Sequence, residues 1–283
     1  MLKPPVTLLA ALLYATSPPG TAGGALTAEL KPATVSAFDK YVKRAESRID
    51  AEVRRPETFL YLDTLAEARR KSAEAAVRRG EIVIEALKGP AAGERVDIPD
   101  GRVHHWMGVG FIPGARLDEA VKLLQDYDRH AEIYRPAVQK SKTLERDGDR
   151  FRVFLRFYQK KMTVAVTVNS EHEAAFFRPA ADRVHSRIRS TRIAEVEDAG
   201  TASEREKPVG RDGGYLWRLN TYWRFLERDN GTYIQCESIT LTRDIPFGFG
   251  WLIGPFVTSI PRESLTFTME RTRQALTGRP AAR

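Results

Sequence analysis

Residues 215–242 read YLWRLNTYWRFLERDNGTYIQCESITLT, and this stretch predicts a long β-hairpin. On the first strand, large side chains alternate with polar ones, which is the period of a strand with one buried face. The members of the first set are Trp217, Leu219, Thr221, Trp223 and Phe225. Asn230-Gly231 follows, which is the strongest short signal for a type I′ turn, because that turn needs positive φ at both central residues.

The predicted register places large side chains opposite small ones. With Asn230-Gly231 as the two-residue loop, we expect Phe225 to face Cys236 and Arg224 to face Glu237. The aromatic face then continues on the second strand as Ile234, Cys236, Ser238 and Thr240. Such a face leaves a hollow unless another element fills it. The sequence predicts that element as a helix from about Pro261 to Leu276, so we expect a curved sheet, closed by a C-terminal helix, with a binding cavity between them.

Composition limits the class of protein. The chain has 283 residues, 42% hydrophobic and 29% charged, which is enough for a packed core. Its formal net charge of +8 comes from arginines spread along the chain. The clustered basic patch that tracks phosphates is missing, so no nucleic-acid partner is predicted, whereas an anionic membrane surface or an acidic lipid stays open as a partner. The single cysteine, Cys236, excludes an internal disulfide and a cysteine-based zinc site.

The first residues have the features of a secretory signal. Lys3 precedes an apolar run from Val6 to Ala15, which is followed by a Pro-Pro-Gly breaker and small residues. We therefore expect a signal peptide over residues 1–25, cleaved near Ala22 to Ala25, and an exported, periplasmic protein. The alternative is an uncleaved anchor, although the apolar run is shorter than the ~20 residues that span a bilayer.

Residues 26–100 are predicted to form a helical extension ahead of the main domain. Thr34 to Val53 has an apolar stripe at helical spacing, and a second helix is predicted over Leu62 to Arg79, ending at Gly80. A short strand over Glu81 to Leu87 and a Gly/Pro-rich turn follow.

The main domain, residues 101–283, has the pattern of an antiparallel sheet with segregated helices. A strand over Arg102 to Ile112 precedes a broken helix over Asp118 to Tyr134, which Pro136 ends. Further strands are predicted at Val138–Arg146, Arg150–Tyr158, Met162–Asn169, Ala174–Arg178 and Arg183–Val196, with a surface loop at Thr201–Gly213.

Four segments carry a resemblance to the START-like (SRPBCC) superfamily. They are Phe111-Ile112-Pro113-Gly114 leading into Asp118–Tyr134, Leu216-Trp217-Arg218-Leu219-Asn220 with Trp223, the run Glu237 to Pro246, and Ile260-Pro261-Arg262-Glu263-Ser264-Leu265. The chain resembles exported bacterial members over about Gly101 to Leu276. The resemblance implies an α+β helix-grip fold, in which a curved antiparallel sheet wraps around a long C-terminal helix. It also implies an apolar ligand, because members bind lipids, sterols or polyketides between the sheet and the last helix, and some are cyclases or aromatase-like enzymes.

The inward hairpin face and the last helix are predicted to line a ligand pocket. The predicted lining residues are Trp217, Leu219, Trp223, Phe225, Ile234, Cys236, Leu265 and Met269. The alternative is that the same side chains form a filled core. The segment before the helix is aromatic and rich in glycine, which is typical of a loop that gates a pocket or touches a membrane. Its predicted gating residues are Phe247, Phe249, Trp251 and Phe256, with a buried connection as the alternative.

No cofactor or metal is predicted, because the sequence has no nucleophile elbow, phosphate loop, dinucleotide fingerprint or zinc motif. Asp126 to His130 gathers acids and a histidine, although such spacings are common on surfaces. Glu237 is interpreted as the structural partner of Arg224 across the hairpin, with a catalytic carboxylate as the alternative. The strand face formed by Arg183, Arg187 and Arg189 is predicted to be solvated.

These observations predict an exported binding or transfer protein for an apolar or amphipathic, lipid-like small molecule, with transient membrane contact. Two alternatives stay open. One is a cyclase-like or hydrolase-like enzyme that uses the same pocket, and the other is a structural envelope protein with a filled core.

Overall fold

The computed structural model describes residues 27–87, 97–161, 164–245 and 250–278, with residues 250–257 described by their backbone alone. The helices are α1 (Pro32–Val53), α2 (Glu67–Arg78), α3 (Leu117–Gln125), α4 (His130–Ile133) and α5 (Gly250–Thr277). The strands are β1 (Ala28–Glu29), β2 (Val83–Ala86), β3 (Gly101–Pro113), β4 (Val138–Asp147), β5 (Arg150–Lys161), β6 (Val164–Ala180), β7 (Arg183–Glu197), β8 (Arg205–Glu206), β9 (Arg211–Asp212), β10 (Arg218–Glu227) and β11 (Gly231–Arg243). Short 3₁₀ turns lie at Pro56–Thr58, Tyr61–Thr64 and Tyr127–Arg129.

One antiparallel sheet organises the described residues. Its strands lie in the order β2-β3-β11-β10-β7-β6-β5-β4, with β8 paired to β7, while β1 and β9 form a separate pair. The register shifts between Thr143 and Glu145 on β4, and between Glu171 and His172 on β6. Irregularities of this kind increase the local twist and bend a strand, so they help the sheet to curve.

Helix α5 packs in the concave face of this sheet. Its side chains Leu265, Met269 and Thr272 are buried, at the i, i+4 and i+7 spacing that the sequence predicted. The helix comes close to β3 at Gly108, where an added Cβ would lie 3.1 Å from Met269 Cγ and 3.0 Å from Ile84 Cδ1. Glycine at this position therefore lets the helix approach the strand.

The convex face of the sheet is covered by α1 and the 3₁₀ turns that follow it. The buried stripe of α1 is Phe38, Val42, Ala45, Ile49 and Val53. It packs with Phe59, Leu60 and Leu62 against the outward side chains of β3 and β11. Because both faces of β11 are covered, its side chains are buried almost without interruption, where a strand with one wet face would alternate.

Polar contacts also fix α1 to the sheet. Arg187 on β7 donates to Asp50 Oδ1 at 2.7 Å, and Arg189 pairs with Glu46. The prediction that this arginine face is simply solvated is therefore wrong, because the acidic side of α1 lies over it. The predicted boundary near residue 100 stays a prediction, although β2, from the N-terminal part, pairs with β3 of the main sheet.

The hairpin turn lies one residue earlier than predicted. Asp229 and Asn230 have φ of 61° and 56°, so they form the two-residue loop, and Gly231 begins β11. Phe225 therefore faces Ile234, and Arg224 faces Gln235, so the predicted register is wrong. Gly231 is thus required by the strand and not by the turn, because a Cβ on residue 231 would lie 2.5 Å from the Ile112 carbonyl oxygen. Each residue of β10 pairs two residues earlier on β11 than predicted. Because two is the period of a strand, the residues predicted to share a face still do so.

Several element boundaries also differ from the sequence prediction. The helix predicted from Leu62 begins at Glu67, and the predicted loop Thr201–Gly213 contains the short strands β8 and β9. The strands predicted at Met162–Asn169 and Ala174–Arg178 form the single strand β6, because Ser170 and His172 continue the inward set while Glu171 and Glu173 point outward. Met162 lies outside the described residues. Helix α5 begins at Gly250 rather than at Pro261, so proline at the favoured first position of a helix was a misleading start signal here.

The predicted α+β helix-grip architecture is confirmed by this arrangement of curved antiparallel sheet and C-terminal helix. Among the described helices, none is both long enough and apolar enough to span a membrane.

Candidate functional site: an apolar cavity under the last helix

A cavity of about 210 Å³ lies between the concave face of the sheet, the α3–α4 segment and α5. Its aliphatic and aromatic walls come from many elements. They include Leu124, Val138, Leu155, Phe157, Val166, Val168, Ile188, Leu216, Leu219, Trp223, Ile260 and Leu265. Separate strands supply these residues because each inward strand position in the curved part of the sheet points at the same space.

The hairpin β10–β11 forms the wall opposite α5. Trp223 faces Cys236, Thr221 faces Ser238, and Leu219 faces Thr240 in the register of the two strands, and all six line the cavity. Side-chain volume is smallest at the Thr221–Ser238 pair, between the larger Trp223 and Leu219. The space left by these smaller side chains is the hollow that the sequence predicted.

The segment from α3 to α4 closes one end of the cavity with aromatic rings that meet in tilted and edge-to-face contacts. The centroid of the His130 ring lies 4.7 Å from that of Tyr127 and 5.1 Å from that of Tyr134. His130 Nε2 is 3.0 Å from the Leu124 carbonyl oxygen, and burial lowers the pKa of this imidazole to about 4. A hydrogen bond of 3.0 Å between the hydroxyls of Tyr134 and Thr272 ties this end to α5.

A second histidine, His172, lines the cavity from β6. Its Nε2 is 2.9 Å from the Ser170 hydroxyl, and its ring stands edge-on to Phe157 with 6.2 Å between centroids. Burial lowers the pKa of His172 to about 4, so the ring is neutral at neutral pH. Both cavity imidazoles are therefore uncharged and already hydrogen-bonded.

The cavity is electrostatically neutral. No Asp, Glu, Lys or Arg side chain is among the described residues that line it. Burial also raises the pKa of the Cys236 thiol and of the Tyr127 hydroxyl, which keeps both protonated. Within the described ranges, no three His, Cys, Asp or Glu side chains are placed to share a metal ion. The lining favours holding an uncharged apolar molecule over moving protons.

The structure divides the predicted pocket residues between the cavity and the core beside it. Leu219, Trp223, Cys236 and Leu265 line the cavity. Phe225, Ile234 and Met269 lie in the adjoining filled core, because α3 and the later turns of α5 pack down on the turn end of the hairpin. Both of the alternatives left open by the sequence are therefore present, a filled core near the turn and a cavity farther along.

Trp217 is the predicted pocket residue that the structure places elsewhere. Its indole Nε1 donates to Asp212 Oδ1 at 3.0 Å, and the ring packs in the core under α1. The chain turns at Gly214, which has a φ of 69°, just before β10 begins. The inward–outward alternation of β10 therefore does not extend back to Trp217. Tyr215 and Leu216 line the cavity at this point.

The predicted gating residues cannot be placed around the cavity. Phe247 and Phe249 lie outside the described residues, and so do the side chains of Trp251 and Phe256, whose backbone belongs to α5. From α5, the described lining begins with Ile260, Pro261 and Ser264.

Several lining residues were missed by the sequence prediction. His130 stood in a polar run that was interpreted as surface, whereas Tyr127 was assigned to the apolar stripe of the broken helix but not to the pocket. His172 stood in Ser-Glu-His-Glu, which read as a strand break. For both histidines an unbroken helical or strand period was the available signal, and polarity concealed it.

Glu237 lies on the sheet face opposite the cavity. Its Oε1 is 2.6 Å from His105 Nε2, and its Oε2 is 4.0 Å from Arg224 Nη2. Arg48 of α1 also pairs with it. The Glu237 carboxylate therefore belongs to a buried network under α1 and does not reach the cavity.

Comparisons with known proteins find likeness in structure alone. No protein-family model matches the chain, and no curated protein matches it. The STAR-related lipid transfer protein from Xanthomonas axonopodis is 15% identical, with a TM-score of 0.44 over 69% of this chain and 98% of that one. Human STARD10 is 8% identical, with a TM-score of 0.42 over 68% and 69%. The Zhui aromatase/cyclase from Streptomyces sp. R1128 is 18% identical, with a TM-score of 0.35 over 62% and 88%.

At these sequence identities and TM-scores the similarity gives no evidence about function, so the function is argued from the cavity alone. The order of strands and the position of α5 nevertheless show the architecture that the resemblance implied. The chain has a START-like helix-grip fold.

Proposed function

We propose that this protein binds a compact, uncharged, apolar small molecule in the cavity under α5, as an exported carrier or transfer protein. The observation that carries the proposal is the absence of any charged side chain among the described lining residues of a space enclosed by apolar walls. An apolar molecule gains free energy on leaving water for such a space, at roughly 25 cal/mol per Å² of buried apolar surface.

The cavity volume limits the size of the ligand. At about 210 Å³ it lies below the range of about 300–1,000 Å³ that is usual for sites of drug-sized ligands. It is larger than an engineered apolar cavity of about 150 Å³ that stays dry and binds benzene. A molecule of up to about three rings, or a short acyl chain, matches this space better than a two-chain lipid does.

Binding is better supported than catalysis by the same residues. The described lining has no carboxylate, and the imidazoles of His130 and His172 are neutral and hydrogen-bonded. A general base is most effective when its pKa lies near the working pH, and burial lowers the pKa of both imidazoles to about 4. No described residue of the cavity offers a base with a pKa near neutrality.

Two dyes with nearly the same skeleton test this proposal. N-Phenyl-1-naphthylamine is uncharged, whereas 8-anilinonaphthalene-1-sulfonate carries a sulfonate. We expect saturable fluorescence with the neutral dye and at least about tenfold weaker binding of the sulfonate, because an unpaired buried charge is costly. Ser238→Leu, which fills the cavity, should abolish binding of the neutral dye, while Ser47→Leu on the exposed side of α1 should not. Equal binding of both dyes, or no saturable binding by folded protein, would contradict the proposal.

Export is proposed from the N-terminal sequence, whose charge, apolar run and small residues have the order of a signal peptide. N-terminal sequencing of the protein from a periplasmic extract should find a start just after the Ala22–Ala25 region. Recovery of the chain in the cytosolic fraction with Met1 intact would contradict export.

Transient membrane contact is a further part of the proposal, supported by the net charge of +8. We expect co-sedimentation with anionic vesicles that weakens as salt is raised, and little with zwitterionic vesicles. Equal recovery with both vesicle types would contradict an electrostatic contact.

A further inference from the structure

The wall formed by the hairpin carries four hydroxyl side chains. Thr242 is hydrogen-bonded with His104, and the other three, Thr221, Ser238 and Thr240, we call the hydroxyl patch. Thr221 and Ser238 face each other across the two strands, and Thr240 is the next inward residue of β11. All three line the cavity. They lie on the strands that also carry Trp223 and Cys236, so the patch adjoins the most apolar part of the wall.

The hydroxyls of the patch lack protein partners. The Thr240 hydroxyl is buried and makes no hydrogen bond within the described structure. No hydrogen bond joins the Thr221 or Ser238 hydroxyl to a described residue either. The Thr240 hydroxyl oxygen is fully covered, whereas Thr221 and Ser238 are half-buried, so their hydroxyls are the members of the patch that a partner inside the cavity can reach.

The exposure of the patch points in the same direction. Thr221 and Ser238 are half-buried, although their neighbours Tyr222, Trp223, Glu237 and Ile239 are buried. Helix α1 covers the opposite face of these strands, so the accessible side of both hydroxyl residues is the cavity side. At the α3–α4 end, the Tyr127 hydroxyl is also buried without a partner.

The chemistry of these groups selects a class of ligand. A hydroxyl both donates and accepts, so the patch suits an alcohol, ketone or ester oxygen. It supplies no positive charge to balance a carboxylate or phosphate, and a bare ion in this space would be strongly disfavoured. We infer that the hydroxyl patch binds an uncharged oxygen-bearing group on the ligand, whose apolar body lies against Trp223. This inference rests on the proposed function and specifies its ligand as a neutral amphipathic molecule.

A series of naphthalene compounds tests the inference, namely naphthalene, 2-naphthol, 2-acetylnaphthalene and 2-naphthoate. Their affinities are measured by displacement of N-phenyl-1-naphthylamine. The patch is removed with Thr221→Val and Ser238→Ala together, which nearly preserve its shape. The matched control combines Thr191→Val on β7 and Ser47→Ala on α1, both at exposed positions. Comparing the loss for each compound cancels differences in their hydrophobicity.

We expect removal of the patch to weaken binding of 2-naphthol and 2-acetylnaphthalene roughly three- to tenfold, the size of one net hydrogen bond. Binding of naphthalene should be unchanged or tighter, 2-naphthoate should bind weakest, and the control pair should change nothing. If wild type binds naphthalene but removal of the patch changes all compounds equally or none, the inference fails while the proposed function stands, with water then satisfying the hydroxyls. If wild type binds no compound of the series, both fail.

Discussion

His105 Nε2 and Glu237 Oε1 are 2.6 Å apart, both side chains are buried, and they lie on the face of the sheet away from the cavity. The other ring nitrogen of His105 is 2.8 Å from the Tyr41 hydroxyl of α1. The histidine therefore bridges the N-terminal helix and β11. Arg224, on the neighbouring strand, donates to the Phe59 carbonyl at 2.8 Å, which ties the following turn to the same network.

This network joins the N-terminal segment to the sheet by charge as well as by apolar packing. Burial raises the pKa of the Glu237 carboxyl, but the hydrogen bond with His105 and the charges of Arg48 and Arg224 outweigh that effect and hold it below its ordinary value. Glu52 pairs with both arginines, so loss of Glu237 costs mainly its own hydrogen bonds, at about 1.5–3 kcal/mol for a bond to a charged group. The network is thus sensitive to the loss of one member.

We predict that Glu237→Gln lowers the free energy of unfolding by about 2 kcal/mol, because it removes the charge-assisted contacts of the buried carboxylate with His105 and Arg48, while Arg224 keeps its closer partner Glu52. Urea unfolding measures this change. Glu197→Gln is the matched control, since its pair with Arg205 is exposed and such pairs contribute about 0–1 kcal/mol. Affinity for N-phenyl-1-naphthylamine should be unchanged in both variants, and a loss of binding in a folded Glu237→Gln protein would contradict the separation of network and cavity.

Acid should destabilise the protein through its buried neutral histidines. Burial lowers the pKa of His104, His130 and His172 from 6.5 to about 4 in each case. Their folded pKa lies below the unfolded value, so the unfolded chain binds more protons between these limits. The contribution is fully present above pH 6.5 and is lost as pH falls toward 4, at up to about 1.4 kcal/mol per pH unit for each histidine.

Urea unfolding at pH 7, 5.5 and 4.5 checks this prediction. We expect the free energy of unfolding to fall continuously as the pH is lowered. His172→Gln should make this dependence on pH less steep by the contribution of one histidine. A stability that is flat from pH 7 to 4.5, or a slope that His172→Gln leaves unchanged, would show that these imidazoles do not titrate as their burial requires.

Two stacked aromatic residues of β10 separate cavity from core. The rings of Trp223 and Phe225 are 5.8 Å apart with an interplanar angle of 5°, and only Trp223 is among the described lining residues. We predict that both alanine variants lose about 3–5 kcal/mol of stability, because each leaves a void in a packed interior. Trp223→Ala should weaken binding of N-phenyl-1-naphthylamine by about tenfold or more through loss of a wall, whereas Phe225→Ala should change it little. Equal losses of affinity in the two folded variants would remove Trp223 as a cavity wall.

The fold was predictable because several local signals agreed. Period-two alternation in β5, β7 and β10 placed the correct side chains inward, and the stripe Leu265, Met269 and Thr272 identified the last helix. The cavity was predictable in part, since the smaller inward side chains of β11, such as Ser238 and Thr240, are visible in the sequence. Its position along the hairpin was not, because it depends on how far α3 packs over the turn end, which is a tertiary contact.

The packing of α1 on the convex face of the sheet could not be predicted from the sequence, for a related reason. An arginine-rich strand face usually meets water, and its acidic partners Glu46 and Asp50 lie far away in the chain. The hairpin turn was predicted one residue too late because the Asn-Gly preference is local, whereas Gly231 serves the close approach of β3, which is distant in sequence.

The position of this turn yields the last prediction. Gly231 begins β11, where an added Cβ would lie 2.5 Å from the Ile112 carbonyl oxygen and 2.7 Å from the Phe111 ring, and backbone cannot move aside cheaply. Gly231→Ala should therefore destabilise the protein by about 2 kcal/mol or more, a value in the range for overpacked interiors. Asn230→Gly should change stability by a few tenths of a kcal/mol, because residue 230 already has a positive φ of 56° that glycine adopts freely. Chemical denaturation of the two variants measures both changes. If the loop were Asn230-Gly231, residue 231 would have a positive φ in the turn and would lie away from Ile112. Gly231→Asn would then be tolerated as well as Asn230→Gly, and that result would contradict a loop at Asp229-Asn230.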